Sequence, residues 1–515
     1  MYESKEKLTL PPLSKSTRIT SHPFFSTVLI GLSIAQLVAM AQVYFSTLRL
    51  FGEASALHQA GYLEIPTLYA LQKMGTLEPT VFGGLFFTLS TGAGLTLATI
   101  GAVWIWHNLS QRNRPVLILL LTIWLAGLLM VNLNGFNLFG SLYFALIPAS
   151  VSLVYLRWLP PEYDHKRVLN RLLPLYPLIC LAVIWGIQAD NNLFINIRDF
   201  LLLSNPVGKS VNDFYYRYTL YPAEAFKSLE QKLQRPISLT DIRPEALGRR
   251  MASQMRYRDY LVVADDEPVE LQIKQAGDHL EWRKNGARIL TVTPESFFSN
   301  PQAVLAQYSR QTDRSAFLRS FTFFGILLAF PILLYSGFFG ILRLLTGLFL
   351  QPSRAALLSS VLCFISGVLL LVPVYQGGRR PVDAGDLAAA LNAADWRDRV
   401  AALKLIEQLQ LEITAYPSYQ KSTASRHLPE RYWLAPALGS SKDHRTIDDL
   451  FTLLSDPQPN VVCQALYALG KRGGDRKSDI IETILAKIRS TDSWYVQRYA
   501  YIALRSLGWR QSASN

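Results

Sequence analysis

Seven apolar stretches without a single Asp, Glu, Lys or Arg constrain this chain more than any other feature: residues 24–46, 81–106, 115–133, 137–155, 173–188, 321–342 and 355–375. A helix needs about 20 apolar residues, rising 1.5 Å each, to cross a hydrocarbon core roughly 30 Å thick, and these stretches reach or approach that length. Half of the residues are hydrophobic and only 17% are charged, against roughly a quarter in ordinary soluble proteins. The mean hydropathy is +0.17. A soluble enzyme is excluded by this balance, and so is disorder over most of the length. The expected fold is mainly α, a multi-pass α-helical membrane protein of about seven spans. The first stretch is not read as a cleavable signal, because about twenty mostly polar residues precede it and its apolar run exceeds the roughly 7–15 residues of a signal core. Pro174 and Pro177 give the fifth, shortest stretch a kinked or tilted entry.

Basic residues resist translocation, so their distribution sets orientation. Lys5, Lys7, Lys15, Arg18, Arg112, Arg114, Arg157, Lys166, Arg167 and Arg171 fall on one side, against Arg49 and Lys73 on the other. The N-terminus is therefore expected in the cytoplasm, with the connection 47–80 and the polar insert after Gln188 outside. Arg343 and Arg354 compete with Arg379 and Arg380 around the last two spans, and simple alternation puts the C-terminal region outside as well. The expected organisation is a cytoplasmic segment (1–22), a five-helix membrane domain (23–188), an extracytoplasmic insert (189–319), a two-helix membrane segment (320–376) and a C-terminal domain (377–515). A bacterial inner membrane is the expected location.

The insert reads as a small α+β unit. Residues 223–233 and 244–257 have helical spacing, whereas 260–264, 269–274, 279–283 and 287–293 alternate with period two. Asn285-Gly286 suits a tight hairpin between the last two. The expectation is an antiparallel meander flanked by helices. Its 18 basic and 16 acidic residues make no nucleic-acid footprint.

Beyond Gly377-Gly378-Arg379-Arg380-Pro381 the helical period returns with an internal repeat. Leu450-Phe451-Thr452-Leu453-Leu454-Ser455-Asp456-Pro457, then Val461 and Ala465-Leu466-Tyr467-Ala468-Leu469-Gly470, are echoed 35 residues later by Leu485, Ile488, Ser490, Val496 and Ala500-Tyr501-Ile502-Ala503-Leu504. A weaker copy runs from Leu387 to Leu405, and a degenerate one carries Leu434-Ala435-Pro436-Ala437-Leu438-Gly439. The pattern resembles the HEAT-like repeat family over roughly the last 130 residues. That resemblance implies paired antiparallel helices stacked into a ridge that binds proteins. Pro436 departs from it and implies a bent or incomplete repeat.

Residues able to do chemistry are few. The segment from Arg198-Asp199 through Asn212-Asp213-Phe214-Tyr215-Tyr216-Arg217-Tyr218 to Tyr221 and Glu224 concentrates tyrosines, arginines and carboxylates just outside a span. It is either an interfacial aromatic belt or a site. In a site, Asp199, Asp213 and Glu224 act as acid, base or cation ligands, and Arg198 and Arg217 grip an anion, with Tyr215, Tyr216 and Tyr218 beside them. Glu53, with His58 and Glu64, lies in the first external connection, where its position is similar to the acidic residues of multi-pass glycosyltransferases that use lipid-linked donors. Gly208-Lys209-Ser210 lacks the earlier glycine of a phosphate loop, since Leu203 stands there. Cys180, Cys363 and Cys463 form no metal or disulfide spacing, and no cofactor or metal is expected. Ser90, Gly94 and Ala98 are spaced for close helix packing.

The leading reading is a membrane-anchored interaction scaffold or assembly factor, with a protein partner on the repeats and lipids around the spans, and no catalytic role. The alternative is a membrane enzyme acting on a lipid-linked substrate at the outer face, with Glu53, Asp199 or Asp213 as acid–base group. Partner, substrate and oligomeric state are not legible in the sequence.

Overall fold

A computed structural model describes residues 23–159, 176–188, 190, 192–219, 221–267, 269–378, 382–474 and 476–512. The N-terminal segment 1–22, Pro174, and the basic residues Lys166, Arg167, Arg171, Arg379 and Arg380 lie outside these. The fold is mainly helical with one small sheet.

Six helices among the described residues are long and apolar enough to cross a membrane: Phe24–Gln59, Leu77–Leu109, Arg114–Val131, Leu138–Trp158, Ala316–Gly347 and Pro352–Gly378. The fifth expected span appears as the 12-residue helix Tyr176–Ile187, about 18 Å long at 1.5 Å per residue. The first helix corrects the expected loop 47–80. It runs on to Gln59 and stops where Gly61 takes a left-handed φ of 74°, with Tyr62 N–H donating to Leu57 O and Gly61 N–H to His58 O, a Schellman cap. Leu68–Met74 follows as a short helix before Leu77.

The long helices meet at their smallest residues. Two π-turns, Thr88–Gly92 within Leu77–Leu109 and Gly325–Ala329 within Ala316–Gly347, face each other. A Cβ on Gly325 would lie 2.4 Å from Ser90 O, and the Thr91 and Thr322 hydroxyls are 2.8 Å apart. Gly94 packs on Phe321. Ser90 and Gly94 thus perform the close packing expected of them, whereas Ala98 is exposed.

The described residues of the insert hold five strands: β1 (Arg235–Thr240), β2 (Tyr260–Val262), β3 (Leu271–Ala276), β4 (His279–Lys284) and β5 (Ala287–Val292). Their order is β2-β1-β3-β4-β5. The expected meander survives only in β3–β4–β5. β1 runs parallel to both neighbours, so the sheet is mixed. Pro236 hid β1 in the sequence. Arg235 N–H and Ile237 O both serve β2, so the missing Pro236 donor points to the opposite side, where pairing with β3 starts only at Ile237. The expected helix 223–233 is replaced by two 3-10 turns, Tyr221–Phe226 and Leu229–Gln231, because Ser228 and Gln231 form a capping box that starts a new turn. Helix Glu245–Tyr257 and the hairpin turn at Asn285-Gly286, with φ of 50° and 79°, form as expected.

In the C-terminal region, Leu387–Asn392/Trp396–Leu409, Arg445–Leu453/Pro459–Lys471 and Lys477–Ser490/Trp494–Ser506 are helix pairs. In the degenerate copy the second helix, Leu428–Ser440, is continuous across Pro436. Its first helix is replaced by the 3-10 turns Ile413–Ala415 and Pro417–Ser422, so the repeat is incomplete on that side. Leu403, Leu434, Leu466, Leu469 and Leu504 share one continuous core.

The first connection, the insert and the repeats pack together. Leu63 N–H donates to Gln511 (2.8 Å) and Thr67 N–H to Gln497 (3.0 Å). Ile65 N–H donates to Gln234 (2.7 Å), and Tyr501 OH to Asp259 (2.6 Å). At the turn between the third and fourth helices, Asn134 and Asn137 donate to the carbonyls of Asp313 and Arg314.

Candidate ligand-binding cleft and its charged latches

The second helices of the repeats face residues 192–219 and 221–226 of the same chain, and the sequence-predicted site residues other than Glu53 lie on that segment. Asp199 sits in a π-turn, Ile197–Leu202, and is fully buried. It accepts from Arg198 (2.7 and 2.9 Å), from Lys404 Nζ (3.0 Å) and from Trp433 Nε1 (2.8 Å). The Arg198 guanidinium lies 3.9 Å above the Tyr432 ring, and the Lys404 ammonium 4.7 Å from that of Trp433. Burial holds the Lys404 ammonium below the usual lysine range, against the opposing pull of Asp199. This is a buried ionic latch between the π-turn Ile197–Leu202 and the repeats.

Glu53 forms a second latch. Lys232 Nζ bridges both its oxygens at 3.0 Å and reaches Glu270 at 3.1 Å, while Arg49 contacts both carboxylates. Burial also lowers the Lys232 ammonium. His58 Nδ1 stands 3.5 Å from Glu64. Glu224 pairs with Lys227 and, at 3.4 Å, with Arg498. Glu53, Asp199 and Glu224 are each engaged by cations, which is the environment of structural charges.

Asp213 and Arg217 differ. Both border a cleft of about 670 Å³ formed by the first connection (Lys73, Glu78), the tyrosine segment (Asp213 to Tyr221) and two inter-helix loops of the repeats (Pro457 to Pro459, Asp492 to Trp494). Asp213 Oδ1 and Gln458 Oε1 are buried with no hydrogen-bond partner among the described residues. Arg217 lies 5.1 Å from its neighbour Tyr218's ring centroid and makes no ion pair among the described residues. Lys73 closes one side through Asp492 at 2.6 Å. Tyr218 OH donates to Glu78. Tyr216 meets Tyr495 edge to face at 4.8 Å, and burial pushes its hydroxyl pKa up. Tyr215 is exposed and meets the Tyr216 ring in a T-shaped contact.

The structure thus gathers Asp213, Tyr216, Arg217 and Tyr218 at one cleft and sends Glu53, Arg198, Asp199 and Glu224 to latches. Sequence reading missed the repeat-side partners Lys404, Trp433, Gln458, Asn460 and Asp492. The available signal was polar residues at inner positions of the second helices and at the loops that precede them. Asn460, for example, exchanges hydrogen bonds with Asn212 at 3.1 and 3.2 Å. No group of three or more His, Cys, Asp or Glu that could hold a metal occurs among the described residues.

No curated protein and no solved structure matches the chain. Residues 423–505 match the family model of HEAT repeats, so the C-terminal region carries HEAT-like repeats, as its resemblance implied.

Proposed function

We propose that the protein is a multi-pass integral protein of a cell membrane, most simply a bacterial inner membrane, that holds a HEAT-repeat body at the outer face as an interaction scaffold or assembly factor. The observation that carries this reading is the apolar exposure of the long helices. In Arg114–Val131 only Val131 is buried, and Ile118, Leu119, Ile123, Leu125 and Leu129 are each at least half exposed. Water would not tolerate such a continuous face, and lipid would. The contacts of the first connection, the insert and the repeats support one shared side, the side that the basic residues assign to the exterior.

The inner face of the repeats is engaged by the chain itself. A protein partner is therefore proposed for the outward first helices Arg445–Leu453 and Lys477–Ser490, where Asp448 and Glu482 are exposed. A photo-crosslinker at Asp448 or Glu482 of the membrane-embedded full chain is expected to give a defined protein adduct, and one at buried Asn460 none. Release of the chain from membranes by alkaline carbonate would refute the anchoring. The enzyme alternative is supported less, because two of its three acid–base candidates are neutralised in latches.

A further inference from the structure

We infer that helix Pro206–Phe214 and the π-turn that continues it, Tyr215–Thr219, lie in the plane of the outer membrane interface, with Val207, Val211 and Tyr215 seated in the headgroup–acyl boundary. The bilayer as occupant rests on the membrane reading above; the amphipathic geometry does not. Asn205 starts the helix by accepting from Gly208 N–H (2.8 Å), with Pro206 at the first helical position. A Cβ on Gly208 would run into the Leu202 carbonyl where the chain doubles back, which accounts for the glycine of Gly208-Lys209-Ser210 without a phosphate.

The segment is pinned at the repeat-side ends of two long apolar helices. Before it, the Phe200 ring lies against Gly377 in the last turn of Pro352–Gly378. At its far end, Phe214 meets Phe82, in the second turn of Leu77–Leu109, edge to face at 5.3 Å. A helix strung between two span ends on one side of a membrane runs along that membrane's surface. Its faces divide accordingly. Asn212 exchanges hydrogen bonds with Asn460, and Tyr216 packs on Tyr495, so one face belongs to the repeats. Asp213 and Arg217, four residues apart, border the cleft. The remaining face carries Val207, Val211 and Tyr215, also four apart, which are 75%, 54% and 43% exposed and do not line the cleft. Phe214 comes seven residues after Val207 and so stands beside it on the helix surface. Because Phe214 is the residue that packs on Phe82, the bare stripe adjoins the apolar surface of the spans. Ile187 and Phe194, on the approach to the segment, are 75% and 70% exposed as well. Side chains sunk roughly 5–10 Å into the boundary leave water, while Tyr215 keeps its hydroxyl at headgroup level. The helix is then a shelf: the bilayer holds one face, another holds the repeats, and the height of the repeats above the membrane is fixed.

The test places the full-length protein, with Cys180, Cys363 and Cys463 replaced, in nanodiscs of phosphatidylcholine and phosphatidylglycerol. One of Val207→Cys, Val211→Cys, Arg217→Cys or Leu125→Cys carries an environment-sensitive fluorophore. Quenching by a spin label near the glycerol end of the acyl chain should be at least about twofold stronger at the Val207 and Val211 positions than at Arg217, and quenching by iodide at least about threefold weaker. Leu125, in Arg114–Val131, is the control for the membrane reading itself. Lipid quenching at Leu125 with iodide quenching at Val207 and Val211 equal to that at Arg217 would overturn this inference and leave the membrane reading standing. No lipid quenching at any position would overturn both. Protection from iodide at Val207 and Val211 without lipid quenching would mean that protein covers the stripe, and would overturn the inference as well. Val207→Cys, at the more exposed of the two positions, keeps the test valid if Val211→Cys folds poorly.

Discussion

Asp199→Ala should undock the repeats from the π-turn Ile197–Leu202. The wild-type carboxylate is fully buried, while Arg198 and Lys404 are 21% and 27% exposed at their side chains. Removing one partner of a buried pair costs about 3–5 kcal/mol, because the opposite charge stays behind uncompensated. Both cations here have a partial route to water, which points to the lower end, about 3 kcal/mol. The lost acceptor for Trp433 Nε1 adds about 1 kcal/mol. A total near 4 kcal/mol corresponds to a change of roughly three orders of magnitude in the docking equilibrium. Hydrogen exchange of the full-length protein in nanodiscs reads this directly, because local opening sets amide protection. Peptides from 193–203 and from the helices Trp396–Leu409 and Leu428–Ser440 should lose about two to three orders of magnitude of protection, while β3–β5 keep theirs. Trp433→Phe, which leaves both cations on Asp199, should cost only about fivefold. A loss below tenfold for Asp199→Ala, or equal losses for the two variants, would refute the assignment of the latch to buried charge.

Two further outcomes follow from other parts of the fold. Gly325→Ala forces a methyl group to within 2.4 Å of the Ser90 carbonyl. Backbone cannot yield there as a flexible side chain could, so thermal unfolding in detergent should report a loss of about 1–3 kcal/mol, against almost none for Gly337→Ala, where nothing lies within 4 Å of the added Cβ. Lys284 in β4 is desolvated beside Arg314, Arg49 and Lys232, which pulls its pKa from 10.5 down to about 8. Between those values the unfolded chain binds more protons than the folded one, so stability rises with pH across that window. Lys284→Met should gain stability at pH 7 and abolish that rise, measured as the difference in unfolding midpoint between variant and wild type from pH 7 to 10.5.

Much of the architecture was legible because lipid-length apolar runs and 35-residue repeats are long-range patterns that no local detail can mask. The hairpin at Asn285-Gly286 was legible for the opposite reason, since its backbone demand falls on two adjacent residues. The extent of the first helix was not, because polar Arg49 and Glu53 suggested a loop, yet both are neutralised against Lys232 and Glu270, residues more than 170 positions away. β1 was hidden by Pro236, whose harmlessness depends on the register of a neighbour. The candidate site divided along the same line. Asp199 and Asp213 look alike as sequence, and only the repeats, by bringing Lys404 and Trp433 to one and the wall of a cleft to the other, tell the two apart.

Membrane topology tests the account most directly. Single cysteines at Gly277 in the β3–β4 turn, at Gln111 between the second and third helices, and at Arg510 beyond the last repeat would be introduced after replacing Cys180, Cys363 and Cys463. Labelling of intact cells with a membrane-impermeant maleimide is expected at 277 and 510 and not at 111 until the membrane is opened. Labelling of all three in intact vesicles, or of 277 and 510 from opposite sides, would contradict it.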